Sequence, residues 1–310
     1  MMNVIGHKQQ REFLKKAFSN NRLGQAFIFS GEERLGKKKV AFEFVKMLFC
    51  ENKEKVPCQK CQSCILVEKV AHPDFIFISP QKREIQIDQV RDLQKSLSLR
   101  PVLSEKKVVI INDAHCLNKQ SQNCILKTLE EPSNKAIFIL VSSLSDSLIS
   151  TIKSRCETLK FYPLKNEEME DSLKASQDVF QYSLGRPGVA LDFVSNAESF
   201  LNFQKYLKIT KDFLTGDLLY RFLFIKDFFP KVKEGDSKDT DKKKEECFLL
   251  LESMMFHLRR SLYLRVNDQA KESALLKTKK AIKLTEQATN LLQSTNVNPR
   301  LLLENLILNF

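Results

Sequence analysis

The sequence contains no tryptophan, and among its 310 residues only eight are glycine and four are histidine. So little glycine argues against a turn-rich β protein and favours a chain built mainly of helices. So few histidines leave little material for a Cys/His nucleophilic site. No apolar run approaches the ~18 residues that a membrane-crossing helix requires. Met1 to Phe13 also lacks the apolar core of a secretory signal. A cytoplasmic protein with no membrane partner is expected. The rest of the composition is ordinary for a globular protein, with 43% hydrophobic and 28% charged residues. A chain of this length exceeds one core and has room for two or three domains. The net charge of +12 fits either a polyanionic partner or a generally basic proteome. Eight cysteines in such a chain point to metal ligands or free thiols rather than disulfides.

Near the N-terminus, Ile5 to Phe18 reads as a short amphipathic helix with Phe13, Leu14, Ala17 and Phe18 on one face. Ala26-Phe27-Ile28-Phe29 reads as a short buried strand. It feeds Gly31-Glu32-Glu33-Arg34-Leu35-Gly36-Lys37-Lys38, which has the G-x-x-x-x-G-K spacing of a phosphate-binding loop. A helix with Val40, Phe44 and Leu48 on one stripe follows. Gly31, Gly36 and Lys37 are the candidate phosphate-binding residues. Lys38 stands where a Ser or Thr hydroxyl would meet magnesium. The plain alternative is a strand–helix turn with an incidental lysine.

Lys106 to Cys156 carries the densest set of signals. Val108-Val109-Ile110-Ile111 and Ala136-Ile137-Phe138-Ile139-Leu140-Val141 are apolar runs separated by a helix starting at Asn118, the pattern of a βαβ unit with buried parallel strands. Asn112-Asp113 then falls at the carboxyl end of the first strand, where α/β proteins place ligands. In nucleotide hydrolases an acidic pair there holds magnesium and orients water, but here its first member is the neutral Asn112. Ser142-Ser143 ends the second strand. Ser154-Arg155-Cys156 closes the segment, after a helix expected from about Asp146. Lys106 and Lys107 read as solvated residues at a strand entry.

Cys50, Cys58, Cys61 and Cys64 follow a C-x7-C-x2-C-x2-C spacing that suits four-thiolate zinc. A ferredoxin-type cluster would need a further cysteine at position 68, which is Glu68. Cys116, Cys124, Cys156 and Cys247 read as buried free thiols.

The loop, Asn112-Asp113, Leu129-Glu130-Glu131-Pro132 and Ser154-Arg155-Cys156, in this order, resemble the clamp-loader branch of the AAA+ family. Within it the pattern is most similar to the delta-prime family of bacterial DNA polymerase III. The resemblance implies an α/β plus all-α chain. Residues 1–163 would form a P-loop-type parallel-sheet domain with a zinc-binding insertion at about 50–75. Residues 164–198 would be a small helical lid and 199–310 a helical oligomerisation collar. It implies a subunit that helps load a sliding clamp onto primer-template DNA, assembled with motor subunits and a delta subunit. Arg155 would be donated in trans to a neighbour's ATP site; the plain alternative is a surface arginine paired with Glu157 or a helix end. Active relatives carry an arginine at the position of Gly188. With Lys38 and Asn112, that makes three departures from a working site, which count against ATP binding and hydrolysis. Two rival readings are an active AAA+ ATPase and a zinc-dependent nucleic-acid-binding module.

From Ser199 onward the pattern is helical. The charged stretch 231–246 is expected to be a solvated loop, with helices resuming at Cys247 and a last helix capped by Asn298 and opened by Pro299.

Overall fold

The short apolar runs decide the fold. In the computed structural model, which describes residues 4–310 apart from 21, 53, 82–83, 131–135, 230–236, 269–271 and 296, these runs become strands of one sheet. They are β1 (Ala26–Ser30), β2 (Phe75–Ile78), β3 (Lys107–Ile111), β4 (Ala136–Ser142) and β5 (Glu157–Lys160), in the order β2-β3-β4-β1-β5. Every pairing is parallel, with Ala26 opposite Phe138 and Val109 opposite Phe138 from the other side. Parallel strands need crossovers, and helices supply them. The first unit contains α1 (Lys8–Ser19), α2 (Lys37–Phe49), α3 (Gln62–Glu68), α4 (Ile87–Ser98), α5 (Lys119–Glu130), α6 (Ser150–Arg155), α7 (Asn166–Glu170) and α8 (Gln177–Ser183).

Successive side chains leave opposite faces of a strand, so the sheet makes two cores. Phe27, Phe29, Val108, Ile110, Ile137 and Ile139 pack with Val40, Phe44 and Val45 of α2. Ile28, Val109, Ile111, Phe138 and Leu140 pack on the other face with Val90 and Leu93 of α4 and Ile125 and Leu129 of α5. Both faces of the central strands are covered, which is why their sequences read as unbroken apolar runs. The α/β parallel sheet is as expected, and an all-helical region follows it.

The chain divides into two compact units, residues 1–191 and 192–310. The boundary falls inside α9 (Pro187–Ser195). In the first unit Ile5, Leu164, Met169 and Phe180 form a small separate core with α7 and α8. The second unit contains α10 (Ala197–Thr215), α11 (Leu218–Phe228), α12 (Ser237–Asn267), α13 (Glu272–Ser294) and α14 (Pro299–Leu308). Its core joins Phe213, Ile225, Leu250, Met254, Leu292, Leu303 and Leu306. Asn298 accepts from the Arg300 N–H at 2.9 Å and Pro299 opens α14. No helix among the described residues is long and apolar enough to cross a membrane.

Several expectations need correction. The first helix starts at Lys8, not Ile5, because Gly6 and His7 take left-handed backbone angles (φ 66 and 55), and Phe13 is exposed while Leu14 is buried. The helix before Cys156 starts at Ser150; Ser145–Ser147 is only a 3₁₀ turn. Lys107 is buried, and its ammonium donates to the Ser96 carbonyl at the end of α4, so it does not solvate the strand entry. Residues 237–246, expected in a loop, are the first turns of α12. Lys243 and Glu246 form an i,i+3 pair at 2.8 Å there, so the mixed charges serve a helix face. Residues 231–236 of that stretch lie outside the described residues, as do Glu131 and Pro132.

Candidate functional site

The loop between β1 and α2 lies at the carboxyl ends of the strands. Gly31 has φ 153, and a Cβ there would sit 2.4 Å from the Phe161 carbonyl oxygen, so a side chain cannot enter. Arg34 takes φ 60 in mid-loop. Gly36 precedes the first turn of α2 with φ 95. Lys37, the first residue of α2, is buried and donates to the carbonyls of Gly31 and Glu32, both at 2.5 Å. Burial pulls its pKa down to about 8, while Glu33, Asp113 and Glu32 push the other way. The loop thus holds its own lysine on two of its carbonyls. Lys38 turns away from the loop: its ammonium lies 4.7 Å from the Phe77 ring centroid and 5.8 Å from that of Phe42. That is a cation–π position.

Asn112 and Asp113 follow β3 directly. The Asn112 side-chain amide donates to an Asp113 carboxylate oxygen at 2.7 Å, and Asp113 takes φ 52. The carboxylate is near enough to raise the Lys37 and His115 pKa values by its charge. His115 is nonetheless lowered overall, chiefly by burial. Ser143, just past β4, places its hydroxyl 3.5 Å from the His115 ring nitrogens. Ser142 is fully buried, and its hydroxyl accepts from the Leu144 N–H at 3.2 Å. The structure therefore brings Lys37, Asp113, His115 and Ser143 to one end of the sheet. Gly188 reaches the same loop through its backbone: its N–H donates to the Arg34 carbonyl at 2.8 Å. A Cβ at Gly188 would lie 2.8 Å from that oxygen, so no side chain fits in this arrangement.

The four cysteines meet as their spacing predicts. The sulfurs of Cys50, Cys58, Cys61 and Cys64 all lie within 4.8 Å of one another. Tetrahedral zinc with bonds of ~2.3 Å sets sulfurs about 3.8 Å apart, so the donor set fits that ion with small adjustment. Backbone N–H groups point at the sulfurs: Cys58 N–H to Cys50, Cys61 N–H to Cys58, and Cys64 N–H to Cys61, at 3.3, 3.3 and 3.4 Å. Such bonds favour thiolate, and the Cys58 pKa is pulled down to about 6 by N–H groups of Lys60 and Cys61. Glu51 anchors the cysteine loop by accepting from the N–H and hydroxyl of Ser63 at 3.1 and 2.8 Å. Glu68 pairs with Lys46 rather than completing a cluster. Burial pushes Cys116, Cys156 and Cys247 up to about 11, 12 and 12, as suits inert thiols.

Arg155 closes α6. One terminal nitrogen of its guanidinium meets a Glu130 carboxylate oxygen at 2.8 Å, and the other donates to the Thr151 carbonyl at 3.1 Å. Glu157 is not its partner; Glu130, the final residue of α5, is.

Two residues escaped the sequence reading. Glu130 had appeared only as part of a tetrapeptide. Asp74, which no sequence motif singles out, is fully buried and accepts from the N–H groups of Val102, Leu103 and Ser104 at 2.7, 2.8 and 2.8 Å. Burial works to raise its pKa, and the three N–H groups outweigh it and hold the carboxyl below its ordinary value. The exposed apolar residues Val102 and Leu103 are thereby fixed on a pinned loop. Neighbouring His72 stacks on Phe49 at 4.3 Å, and its Nε2 is buried without a partner among the described residues.

Residues 6–165 match the family model described as DNA polymerase III, delta subunit. The DNA polymerase III subunit delta' of Bacillus subtilis is 34% identical over 168 residues, 54% of this chain and 51% of that protein. The DNA polymerase III subunit gamma of Buchnera aphidicola subsp. Acyrthosiphon pisum is 30% identical over 252 residues, 77% of this chain and 69% of that protein. A gamma subunit-related protein of Thermotoga maritima superposes with a TM-score of 0.47 at 20% identity, over 96% of this chain and 97% of that one. The chain spans about half the length of the first of these curated relatives.

Proposed function

Because the chain belongs to the DNA polymerase III delta-subunit family of clamp-loader proteins, we propose that it is the non-hydrolysing, delta-prime-type subunit of a clamp loader in DNA replication. On this reading it assembles with motor subunits and a delta subunit, helps load the sliding clamp onto primer-template DNA in the cytoplasm, and donates Arg155 to a neighbouring motor subunit's ATP site. Residues 1–163, 164–198 and 199–310 act as nucleotide-type domain, lid and collar.

The observation that carries this reading is the state of the phosphate loop. Lys37 is already bonded to the carbonyls of Gly31 and Glu32, and Lys38, where a magnesium-binding hydroxyl is needed, faces the rings of Phe77 and Phe42. Asn112 supplies an amide where a carboxylate would hold the ion. Gly188, backed against Arg34, offers no arginine to a phosphate. These groups argue against the active-ATPase reading.

Arginine suits donation in trans. It stays charged, and its planar fork meets phosphate oxygens with two bonds. Cys50, Cys58, Cys61 and Cys64 hold zinc in this reading, and the ion supplies a structural crosslink to a short arm. The rival zinc-dependent nucleic-acid-binding module shares the same cysteine quartet and otherwise rests on the basic composition.

The test is nucleotide turnover by the purified full-length chain. No hydrolysis above background, unchanged by Lys37→Ala, is expected. Robust turnover that Lys37→Ala abolishes would replace this reading with that of a motor subunit.

A further inference from the structure

Glu130 and Arg155 are 25 positions apart, and each sits at the last residue of its helix. A cation is favoured at a helix C-terminus and a carboxylate is disfavoured there. Arg155 is therefore well placed at the end of α6. Its guanidinium meets the Glu130 carboxylate at 2.8 Å. The Thr151 carbonyl, at 3.1 Å from the other terminal nitrogen, fixes the plane of the guanidinium.

A guanidinium carries five N–H donors. Among the described residues these two partners take one donor on each terminal nitrogen. Three donors, including that on Nε, have no partner among the described residues. Both side chains remain partly exposed. An exposed arginine held by one flexible pair would sample many rotamers, and ordering it on demand would weaken its action on a transition state. Held from two sides, its fork is ordered before an anion arrives.

We propose that Glu130 is a positioning residue for Arg155: it orients the guanidinium so that the three remaining donors face the phosphate oxygens of a nucleotide bound by an adjoining subunit. This rests on the reading of Arg155 as a residue donated in trans. Glu130 acts only through Arg155. Its need is for an acceptor at the right place, so glutamine, which keeps the acceptor and drops the charge, serves largely as well.

The test uses the fully assembled clamp loader, with clamp and primed DNA, and follows ATP turnover by the motor subunits. Glu130→Ala is expected to lower kcat by up to ~10²-fold, the cost of about 1 Å of misplacement at a reacting centre, with KM unchanged and assembly intact. Glu130→Gln should restore most of the rate. Adding Glu130→Ala to Arg155→Ala should bring no further loss. A Glu130→Ala complex that turns over normally, while Arg155→Ala is defective, overturns the positioning role and leaves the donor role standing. Loss in Glu130→Ala that persists unchanged on an Arg155→Ala background also overturns it, since Glu130 would then act elsewhere. An Arg155→Ala complex with normal turnover removes the donor reading itself, and this inference with it.

Discussion

Replacing Asp74 is the most direct probe of how the first unit is held together. The carboxylate is fully buried and gathers three N–H bonds from residues 102–104, so it ties the segment after α4 to the entry of β2. A hydrogen bond to a charged group contributes ~1.5–3 kcal/mol, without simple additivity. Val102 and Leu103 are mostly exposed, so their amides can turn to water once released, and this keeps the total loss well below three times that figure. Asp74→Ala should therefore destabilise the first unit by about 3–4 kcal/mol. Asp74→Asn loses the charge and turns two N–H donors towards the loop; about 2 kcal/mol is expected, close to one such bond lost. The sign with pH follows from the depressed carboxyl. Its contribution is full above the unfolded value of about 3.9 and is lost as pH falls through the lower folded value. Acid should therefore erase the difference between wild type and Asp74→Asn. Urea denaturation gives the stability, and amide exchange over residues 99–107 gives the local release. An Asp74→Ala chain with wild-type stability and unchanged exchange at 102–104 would refute the reasoning.

Metal analysis of protein purified without chelator should find about one zinc per chain, the stoichiometry of a four-thiolate site; iron, or no metal, would sink the assignment. Cys61→Ser should raise amide exchange in residues 50–75 and leave the second unit's helices protected. Truncation after Thr295 removes α14 and with it Leu302, Leu303, Leu306 and Ile307 of the second core. Pull-down with motor subunits should then fail, while the first unit stays folded by circular dichroism and exchange; assembly at full affinity would contradict the collar. Gly188→Arg should not restore nucleotide turnover, because its Cβ meets the Arg34 carbonyl. It should instead lower stability by about 1–3 kcal/mol, the usual range for overpacking, and a neutral melting temperature would argue otherwise.

What the sequence made legible was what depends on neighbours along the chain. The β1, β3 and β4 runs are apolar on both faces because both faces are covered, so burial is written at nearly every position. The cysteine quartet was readable because three of its members lie within seven residues. What stayed hidden depends on partners distant in sequence. Nothing near Asp74 announces that residues 102–104 will donate to it, nor does Glu130 announce Arg155. Lys107 looked solvated because charge normally marks surface; only the end of α4 arriving above it makes burial tolerable. His7 misled because positive φ is uncommon outside glycine, and what holds its ring, the Leu35 carbonyl at 2.7 Å, lies 28 residues away. The charged run before Cys247 was read by composition, where its i,i+3 pairing was the better signal.

The central claim is that this chain acts on a neighbour's nucleotide rather than its own. The measurement that tests it most directly is ATP turnover by a reconstituted clamp loader in which only this chain carries Arg155→Ala, compared with wild type in the presence of clamp and primed DNA. An arginine supplied in trans to a phosphoryl-transfer site can be worth ~10³-fold or more in rate. The account predicts normal assembly with a deep loss of turnover at one motor site, and little rescue by Arg155→Lys because the fork is gone. Unchanged turnover and unchanged clamp loading by the Arg155→Ala complex would contradict it.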